Sequence, residues 1–526
     1  MEPNHQRGSD NKVKEKHEYV KGILSEKSNG FIQCFESENE GLYVTATNCR
    51  NLRSSSAEPT RVMTCQAAAI ALDPPFRQTH CSFCASSGTT LYALEGCSMV
   101  SACTSCGPLL MKDGYHRSNE FAILEKMEAT FGPSIDSIFV LTVRLLCCQS
   151  SKDWWKLFCR LYEHPTDDSM EDNIDLICSH LPAPANDKGL FRETLGRVLG
   201  CSHNITDFSR PLGNQSLGRA IFLEHSFYNH SCVPNAYLSC NIRHLPDGSA
   251  ISTLTADVHL LETVQEGDEI TISYIPMSGL STRERRKTLQ EGYGFDCNCR
   301  ACTSLEPAIS ITESMDVQSL REIQYNCNER LLTRKNKEQQ PSQSHTTRMQ
   351  RSNQEGDDRA SSEKDGQADD EVDQVIALVQ MTQRGIRNQG IPETHEVSVE
   401  SHRLLALAYS ILEDWVPAKE HHENFLKLAN KVNDLFDPVA LGLQLLEYAN
   451  ALKQVGDREI TRSARKRQEG LSMLQRALGK NHDWLAMLSS EESSPPRDTT
   501  PKRKSDDTTS ESDELPDKRS KVKGDS

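Results

Sequence analysis

A polar loop and a cysteine cluster in the middle of the chain place the strongest constraint on its fold. The loop at 227–235 reads FYNHSCVPN, and Pro234 prevents a helix from continuing through it. Further along, three thiols follow at the spacing of metal ligands: Cys297, Cys299 and Cys302. A tetrahedral zinc site needs four ligands, and Cys232 in the loop can be the fourth. Such a site would clamp the later segment over the loop.

The composition predicts a large chain with hydrophobic cores and additional polar segments. Its 526 residues suggest two or three domains, and 36% of them are hydrophobic. The 19 cysteines include CxxC and CxC clusters, which favour zinc over disulfides in a reducing compartment. No apolar run of about eighteen residues predicts a membrane-spanning helix, and the polar N-terminus does not resemble a signal peptide.

The net charge indicates which classes of binding partner suit the chain. A net charge of −16 argues against direct nucleic-acid binding by the whole surface, which needs basic patches. It suits a basic substrate such as a lysine-rich tail. The alternative, that acidity serves solubility alone, stays open at this point.

A second cysteine group predicts another zinc site, earlier in the chain. Two CxxC pairs supply its thiols: Cys81, Cys84, Cys103 and Cys106. Paired CxxC spacing is typical of structural zinc. The alternative is a set of buried thiols without metal.

Strand-like and helical patterns alternate along the chain. Short strands are predicted at 31–35, 40–44, 62–72 and 270–274. Residues 121–215 are predicted to be mainly helical, because apolar groups recur there at every third or fourth position. The helical period returns over 373–485. The basic segment 283–290 is predicted to be a short helix with a solvated charged face.

Other segments are too polar to offset the entropy of ordering and are predicted to be disordered: 1–28, 334–372 and 489–526. The last of them contains two basic clusters, PKRK at 501–504 and KRSK at 518–521. These clusters could form a nuclear import signal, although short basic clusters also arise by chance in polar tails.

Three motifs together resemble the SET family of protein-lysine methyltransferases. They are NHSCVPN at 229–235, GDEITISY at 267–274 and YGFDCNCRAC at 293–302. With the early cysteine group and the helical segments, the chain is similar to the SET and MYND domain (SMYD) proteins. The resemblance implies an α+β fold, in which a SET domain of short β-sheets is followed by an all-α TPR-like domain.

The resemblance also implies domain boundaries. The SET domain with its post-SET zinc site would span 29–304. A MYND-like zinc finger would be inserted at 81–120 and a helical insert at 121–215. The TPR-like domain would span 373–485.

A complete MYND finger has a second zinc site, and this chain retains only part of it. Cys97 and His116 match two of its ligands. Leu94 and Glu120 occupy the other two positions, and leucine cannot bind zinc. One zinc ion is therefore expected in the finger.

The resemblance implies S-adenosylmethionine and zinc as cofactors, and methyl transfer to lysine as the reaction. Tyr274 would be the catalytic tyrosine, and Tyr293 would form an aromatic wall of the lysine channel. Five residues would hold the methyl donor: Glu40, Gly41, Asn229, His230 and Phe295. Eight cysteines would bind zinc: Cys81, Cys84, Cys103, Cys106, Cys232, Cys297, Cys299 and Cys302.

Two positions depart from the family pattern. Asn39 stands where the first glycine of a donor-binding GxG turn is expected. His203 stands where a phenylalanine lines the lysine channel, and a histidine makes that channel more polar.

The predicted function is therefore methylation of lysine in histone tails or other proteins, by a monomer in the nucleus, the cytoplasm or both. No membrane partner is expected. The alternative is a catalytically weak or inactive adaptor that binds protein partners through the finger and the helical domain. Tyr274, Asn229 and His230 favour the enzyme, whereas Asn39 and His203 favour the adaptor.

Overall fold

The structure of the chain is a computed structural model. The residues that it describes are 20–28, 31–37, 41–47, 60–87, 90–94, 97–107, 114–148, 153–183, 185–207, 215–244, 252–275, 280–303, 315–339, 359–431, 436–482, 484–485 and 488. Glu40 and the predicted tail at 489–526, with its two basic clusters, lie outside these residues.

The N-terminal half contains the strands. In chain order they are β1 (Ile32–Ser37), β2 (Gly41–Ala46), β3 (Arg61–Gln66), β4 (Ala69–Leu72), β5 (Leu91–Leu94), β6 (Cys97–Cys103), β7 (Ser202–Asp207), β8 (Gln215–Ile221), β9 (Asn229–His230), β10 (Ala236–His244), β11 (Ser252–Leu260) and β12 (Thr271–Ile272). In the described residues they form small sheets with the orders β1-β2, β10-β11-β3, β12-β9, β4-β8-β7 and β5-β6.

In the described residues, helices make up most of the insert between the strands and of the C-terminal part. The insert contains α1 (Gly114–Phe131), α2 (Ser137–Cys147), α3 (Asp153–Phe158), α4 (Glu171–Cys178) and α5 (Lys188–Cys201). After the strands come α6 (Thr282–Tyr293), α7 (Arg300–Thr303), α8 (Met315–Gln339), α9 (Arg359–Asn388), α10 (Glu396–Ile411), α11 (Trp415–Lys431), α12 (Pro438–Val455) and α13 (Ile460–Leu478).

The small sheets and the helical insert share one core. Fully buried aromatic side chains at its centre come from α3, α5 and the segment after β8: Phe158, Phe191, Phe222 and Tyr228. Short sheets of this kind cannot bury both faces alone, so the insert helices cover them. The predicted α+β fold is confirmed.

The helical C-terminal part packs directly on the sheet of β10 and β11. Helix α13 contacts both strands. The hydroxyl of Tyr237 on β10 donates to the carboxylate of Asp437, which caps α12 (3.2 Å). The ring of His482 hydrogen-bonds to the carbonyl of Cys240 (3.2 Å). None of the helices described is both long enough and apolar enough to cross a membrane.

One sequence prediction about an element was wrong, and a second holds over most of its length. Residues 62–72 form two strands in different sheets, β3 and β4, because the chain bends at Ala67 and Ala68. The helical prediction for 121–215 holds to Cys201, but 202–207 are strand β7. The segment from Ser202 is rich in residues that favour strands or compete with helix, and it pairs along β8.

Two predicted disordered segments are partly helical. Residues 20–27 form a helix that buries Val20 and Leu24, which lie four positions apart on one face. In the segment predicted as a linker, α8 continues to Gln339 and α9 begins at Arg359. The apolar residues that follow, such as Val372, anchor α9 in a tertiary core, and the helix extends from that anchor into polar sequence.

Candidate active site

The polar loop is fixed by a parallel pairing of two very short strands. Asn229 and His230 on β9 lie opposite Thr271 and Ile272 on β12. Asn235 completes the connection, because its amide donates to the carbonyl of Glu269 (2.8 Å) and accepts from the Thr271 backbone (2.9 Å). The NHSCVPN and GDEITISY motifs, which are separate in sequence, therefore form one unit.

His230 links the catalytic candidate to the zinc candidate. Its Nδ1 accepts a hydrogen bond from the backbone N–H of Tyr274 (3.0 Å). Its Nε2 therefore carries the proton and faces Cys232 Sγ at 3.3 Å. Burial lowers the pKa of His230 to about 4, so the ring is neutral at physiological pH.

Tyr274 is held at both its hydroxyl and its backbone. The hydroxyl donates to the carbonyl of Tyr228 (2.5 Å), and the carbonyl of Tyr274 accepts from the hydroxyl of Tyr293 (3.0 Å). Burial raises the pKa of both phenols, most strongly that of Tyr274. Tyr274 therefore stays protonated at neutral pH, and its oxygen retains lone pairs that can accept from a bound group.

Four aromatic side chains cluster at Tyr274: Tyr274 itself, Tyr293, His230 and Phe295. The Tyr274 ring lies 5.0 Å from that of Tyr293, 5.4 Å from that of His230 and 6.4 Å from that of Phe295, measured between centroids. His230 and Phe295 lie 6.0 Å apart. All four residues are half-buried. The arrangement can take an apolar or flat group with few polar contacts.

The predicted donor-binding residues are brought together in part. Asn229 donates through Nδ2 to the carboxylate of Glu269 (3.0 Å). Thr45 on β2 forms a bridge with Glu269, and its buried hydroxyl has no hydrogen-bond partner among the residues that the structure describes. Gly41 begins the same strand. An orphaned hydroxyl beside Asn229 fits a polar ligand at this place.

The post-SET cysteines form the predicted four-thiol cluster. The sulfur atoms of Cys232, Cys297, Cys299 and Cys302 lie within 4.8 Å of one another. Cys232 Sγ is 3.9 Å from Cys297 Sγ and 3.5 Å from Cys302 Sγ. Thiolates about 2.3 Å from a tetrahedral zinc ion lie about 3.8 Å apart, so this donor set fits zinc.

The finger cysteines form the second cluster. Those of the two CxxC pairs are all buried and also lie within 4.8 Å, with Cys84 and Cys103 sulfurs 3.8 Å apart. The neighbouring Glu120, predicted to occupy a degraded ligand position, is buried in an ion pair with Arg144 (2.7 Å). Cys97 begins β6, and the side chain of His116 lies outside the described part of the chain.

His203 lies on β7 with its ring 6.0 Å from Phe222. Within the described part of the chain, its buried Nε2 has no hydrogen-bond partner, and neither has either ring nitrogen of the fully buried His225. Burial lowers the pKa of His203 to about 4 and that of His225 well below its ordinary value. These two histidines are therefore neutral side chains in the buried interior.

The predicted solvated face of 283–290 was wrong at two positions. Glu284 and Arg285 are buried, with 6% and 3% of their surfaces exposed. Arg285 donates to the carbonyl of Ala301 (3.1 Å) and approaches Cys302 Sγ (3.7 Å). The pattern Ser281-x-x-Glu284 is that of a capping box, which marked the helix start but not the burial. Glu269, which anchors Asn229, was also missed.

Comparisons with known proteins agree with this geometry. The SET domain family matches residues 42–275. A SET and MYND domain-containing protein of Dictyostelium discoideum is 40% identical over 93 residues, or 18% of this chain and 16% of that protein. The histone-lysine N-methyltransferase ASHR1 of Arabidopsis thaliana is 32% identical over 152 residues, or 29% of this chain and 28% of that protein.

A mammalian relative gives the same picture. The histone-lysine N-methyltransferase Smyd1 of Mus musculus is 37% identical over 107 residues, or 20% of this chain and 21% of that protein. The matched stretches span less than a third of each of these relatives. Residues 42–275 therefore match the SET domain family, and the chain is similar in part to SET and MYND domain-containing proteins.

Proposed function

We propose that this chain is an S-adenosylmethionine-dependent protein-lysine N-methyltransferase. The observation that supports it most is the placement of the Tyr274 hydroxyl, fixed to the Tyr228 carbonyl within half-buried rings. Two of the relatives are named histone-lysine N-methyltransferases. A bound donor would supply a methyl group on a sulfonium. The lysine amine would take this methyl group, and the sulfur would leave as a thioether.

The donor side of the site is assigned to the loop and its neighbours. Asn229 and His230 bind the amino-acid and adenine parts, and Phe295 packs against the adenine ring. Gly41, and Glu40 beside it in sequence, belong to the turn that closes over the donor. These residues contribute mainly orientation, because a displacement reaction gains most from aligned reactants.

The lysine side is assigned to the tyrosines. Tyr293 forms a wall for the lysine stem, and its hydroxyl is committed to the Tyr274 carbonyl. An apolar wall favours the uncharged amine, which is the form that attacks. The Tyr274 oxygen accepts from the reacting groups, and because its phenol stays protonated, the amine's proton leaves through water.

The substrate class follows from charge. A chain with net charge −16 suits lysine-rich partners, and histone tails or similar segments are proposed as substrates. We propose that the enzyme acts as a monomer in the nucleus, the cytoplasm or both, and that it does not bind nucleic acid directly.

The test uses the full zinc-loaded chain and donor labelled in its methyl group. Histones and cell extract are incubated with it, and labelled lysines are located by mass spectrometry. We expect label on lysine of at least one protein. Absence of transfer, together with absence of donor binding in calorimetry at millimolar concentration, would replace the enzyme by the adaptor.

A further inference from the structure

Helix α6 contacts both the aromatic residues of the site and the segment with the post-SET cysteines. Its last residue is Tyr293, whose hydroxyl holds the Tyr274 carbonyl. In its first two turns Arg285 donates to the Ala301 carbonyl, and Arg286 donates to the Cys302 carbonyl (3.2 Å). A shift of α6 would therefore move both the aromatic wall and the loop that supplies three zinc ligands.

Glu284 fixes the beginning of α6 and does so with two separate oxygens. Oε2 accepts from the backbone of Ser281 (2.9 Å) and from its hydroxyl (2.7 Å). The backbone N–H of Glu284 donates in return to Ser281 Oγ (3.3 Å), which completes the capping box. Oε1 accepts from the guanidinium of Arg321 on α8. The side chain is almost fully buried, so its charge requires a cation at close range.

Arg321 belongs to the helical C-terminal part, and its neighbours hold it in place. Its Nε donates to Glu396 in the first turn of α10. One turn along α8, the buried Gln324 donates to the Val397 carbonyl (2.6 Å). His395 lies 3.9 Å from Glu284 but is neutral, because burial and Arg321 lower its pKa to about 4. Arg321 thus supplies the positive charge that Glu284 faces.

We propose that Arg321 is a positioning residue, through which the helical domain holds α6, Tyr293 and the post-SET zinc cluster. The pair Arg321–Glu284 joins residues from two parts of the chain, and its guanidinium is also tied to Glu396. The assignment of a catalytic consequence rests on the proposed function. The consequence for the metal does not.

Removal of either partner has a distinct expected effect. Arg321→Ala leaves a buried carboxylate without its cation, which is worse than removing both charges. Glu284→Gln removes the charge but keeps the capping box, since glutamine serves at this position too. The double variant Arg321→Ala/Glu284→Gln should therefore lose less than Arg321→Ala alone. If α6 depended only on its capping box and not on the ion pair, the double variant would behave like Arg321→Ala.

The first measurement is the rate of zinc release to a chromophoric chelator. Each variant has an internal reference, because the finger cluster around Cys81 lies outside α6 and its contacts. We expect Arg321→Ala to speed release from the post-SET cluster by about tenfold, the size of a typical coupling between contacting residues, with the finger phase unchanged. Glu284→Gln and the double variant should fall between Arg321→Ala and wild type.

The second measurement is the KM and kcat for a labelled lysine substrate. We expect the KM to rise by about tenfold in Arg321→Ala, because the wall formed by Tyr293 is displaced, with partial recovery in the double variant. The control is Arg192→Ala, which breaks a more exposed ion pair with Glu171 on the helical insert and should change neither quantity.

The outcomes are separable. If Arg321→Ala releases both zinc ions at wild-type rates, or if Arg192→Ala has the same effect, the positioning role is wrong. If wild type transfers no methyl group but zinc release responds as expected, the proposed function fails and the positioning role stands. If Arg321→Ala does not fold, Glu284→Gln still decides, because wild-type zinc release from it would contradict the proposal.

Discussion

At the residue scale, the site depends on side chains that hydrogen bonds hold in one orientation. His230 uses one ring nitrogen for the Tyr274 backbone and the other for the Cys232 sulfur. Asn229 is oriented by Glu269. A ring with both nitrogens engaged cannot rotate without losing a hydrogen bond, so the loop presents its groups in one arrangement.

The buried histidines near this loop predict a pH dependence of stability. In the unfolded chain both His203 and His225 have an ordinary pKa of about 6.5. In the folded chain burial lowers the pKa of His203 to about 4 and lowers that of His225 well below its ordinary value. Below pH about 6.5 the unfolded state therefore binds more protons, and stability that is complete above this pH is lost toward pH 4.

His203→Phe should remove part of this dependence. The Nε2 atom of His203 has no partner among the described residues, so its removal should not lower stability at neutral pH. Between pH about 7.5 and 5, the loss in free energy of unfolding should be smaller than in wild type by about 1–2 kcal/mol. Urea titrations at each pH measure it, with His180→Phe at the protein surface as the control. Parallel pH curves for wild type and His203→Phe would contradict the buried neutral state.

At the scale of elements, the zinc-binding segment and α6 are held together by direct contacts and are expected to move together. The segment after α6 has little apolar content of its own, and four thiols take the place of a core there. A structural zinc ion can contribute on the order of 10 kcal/mol to such a small region. Tyr293 and Phe295 lie immediately before the first of its cysteines, Cys297.

Cys299→Ser should therefore unfold this segment rather than alter it locally. We expect loss of one zinc ion, exposure of Phe295 and loss of donor binding in calorimetry, with the finger zinc retained. The matched control is Cys159→Ser, which changes an exposed cysteine and should bind donor like wild type. Normal donor affinity in a Cys299→Ser protein that lacks this zinc would show that the segment does not need the metal.

At the scale of the whole molecule, local motifs predicted the site better than its surroundings. The cysteine clusters followed from short spacings, and the grouping of Asn229, His230 and Tyr274 followed from the resemblance of their motifs to the SET family. The burial of Glu284 did not, because its partner Arg321 is distant in sequence and only the packing of α8 on α6 brings them together. The start of β7 was missed for the same reason, since pairing with β8 decides it.

The metal content is a prediction for the whole chain. The described residues contain two groups of side chains that fit zinc, and the degraded finger positions include a leucine and Glu120, already paired with Arg144. Elemental analysis of the purified protein should therefore return two zinc ions per chain. Three ions per chain would show that the second finger site is intact.

The central claim is that the Tyr274 hydroxyl acts in methyl transfer, and Tyr274→Phe tests it most directly. The variant removes one hydroxyl that bonds the Tyr228 carbonyl, so the free energy of unfolding should fall by only about 1 kcal/mol. Donor affinity should be nearly unchanged, and methyl transfer should fall by about 10²-fold or more, as when a positioned polar group is lost. Melting temperature and transfer rate are measured on one preparation. A variant that melts earlier yet methylates lysine at the wild-type rate per folded molecule would contradict the account.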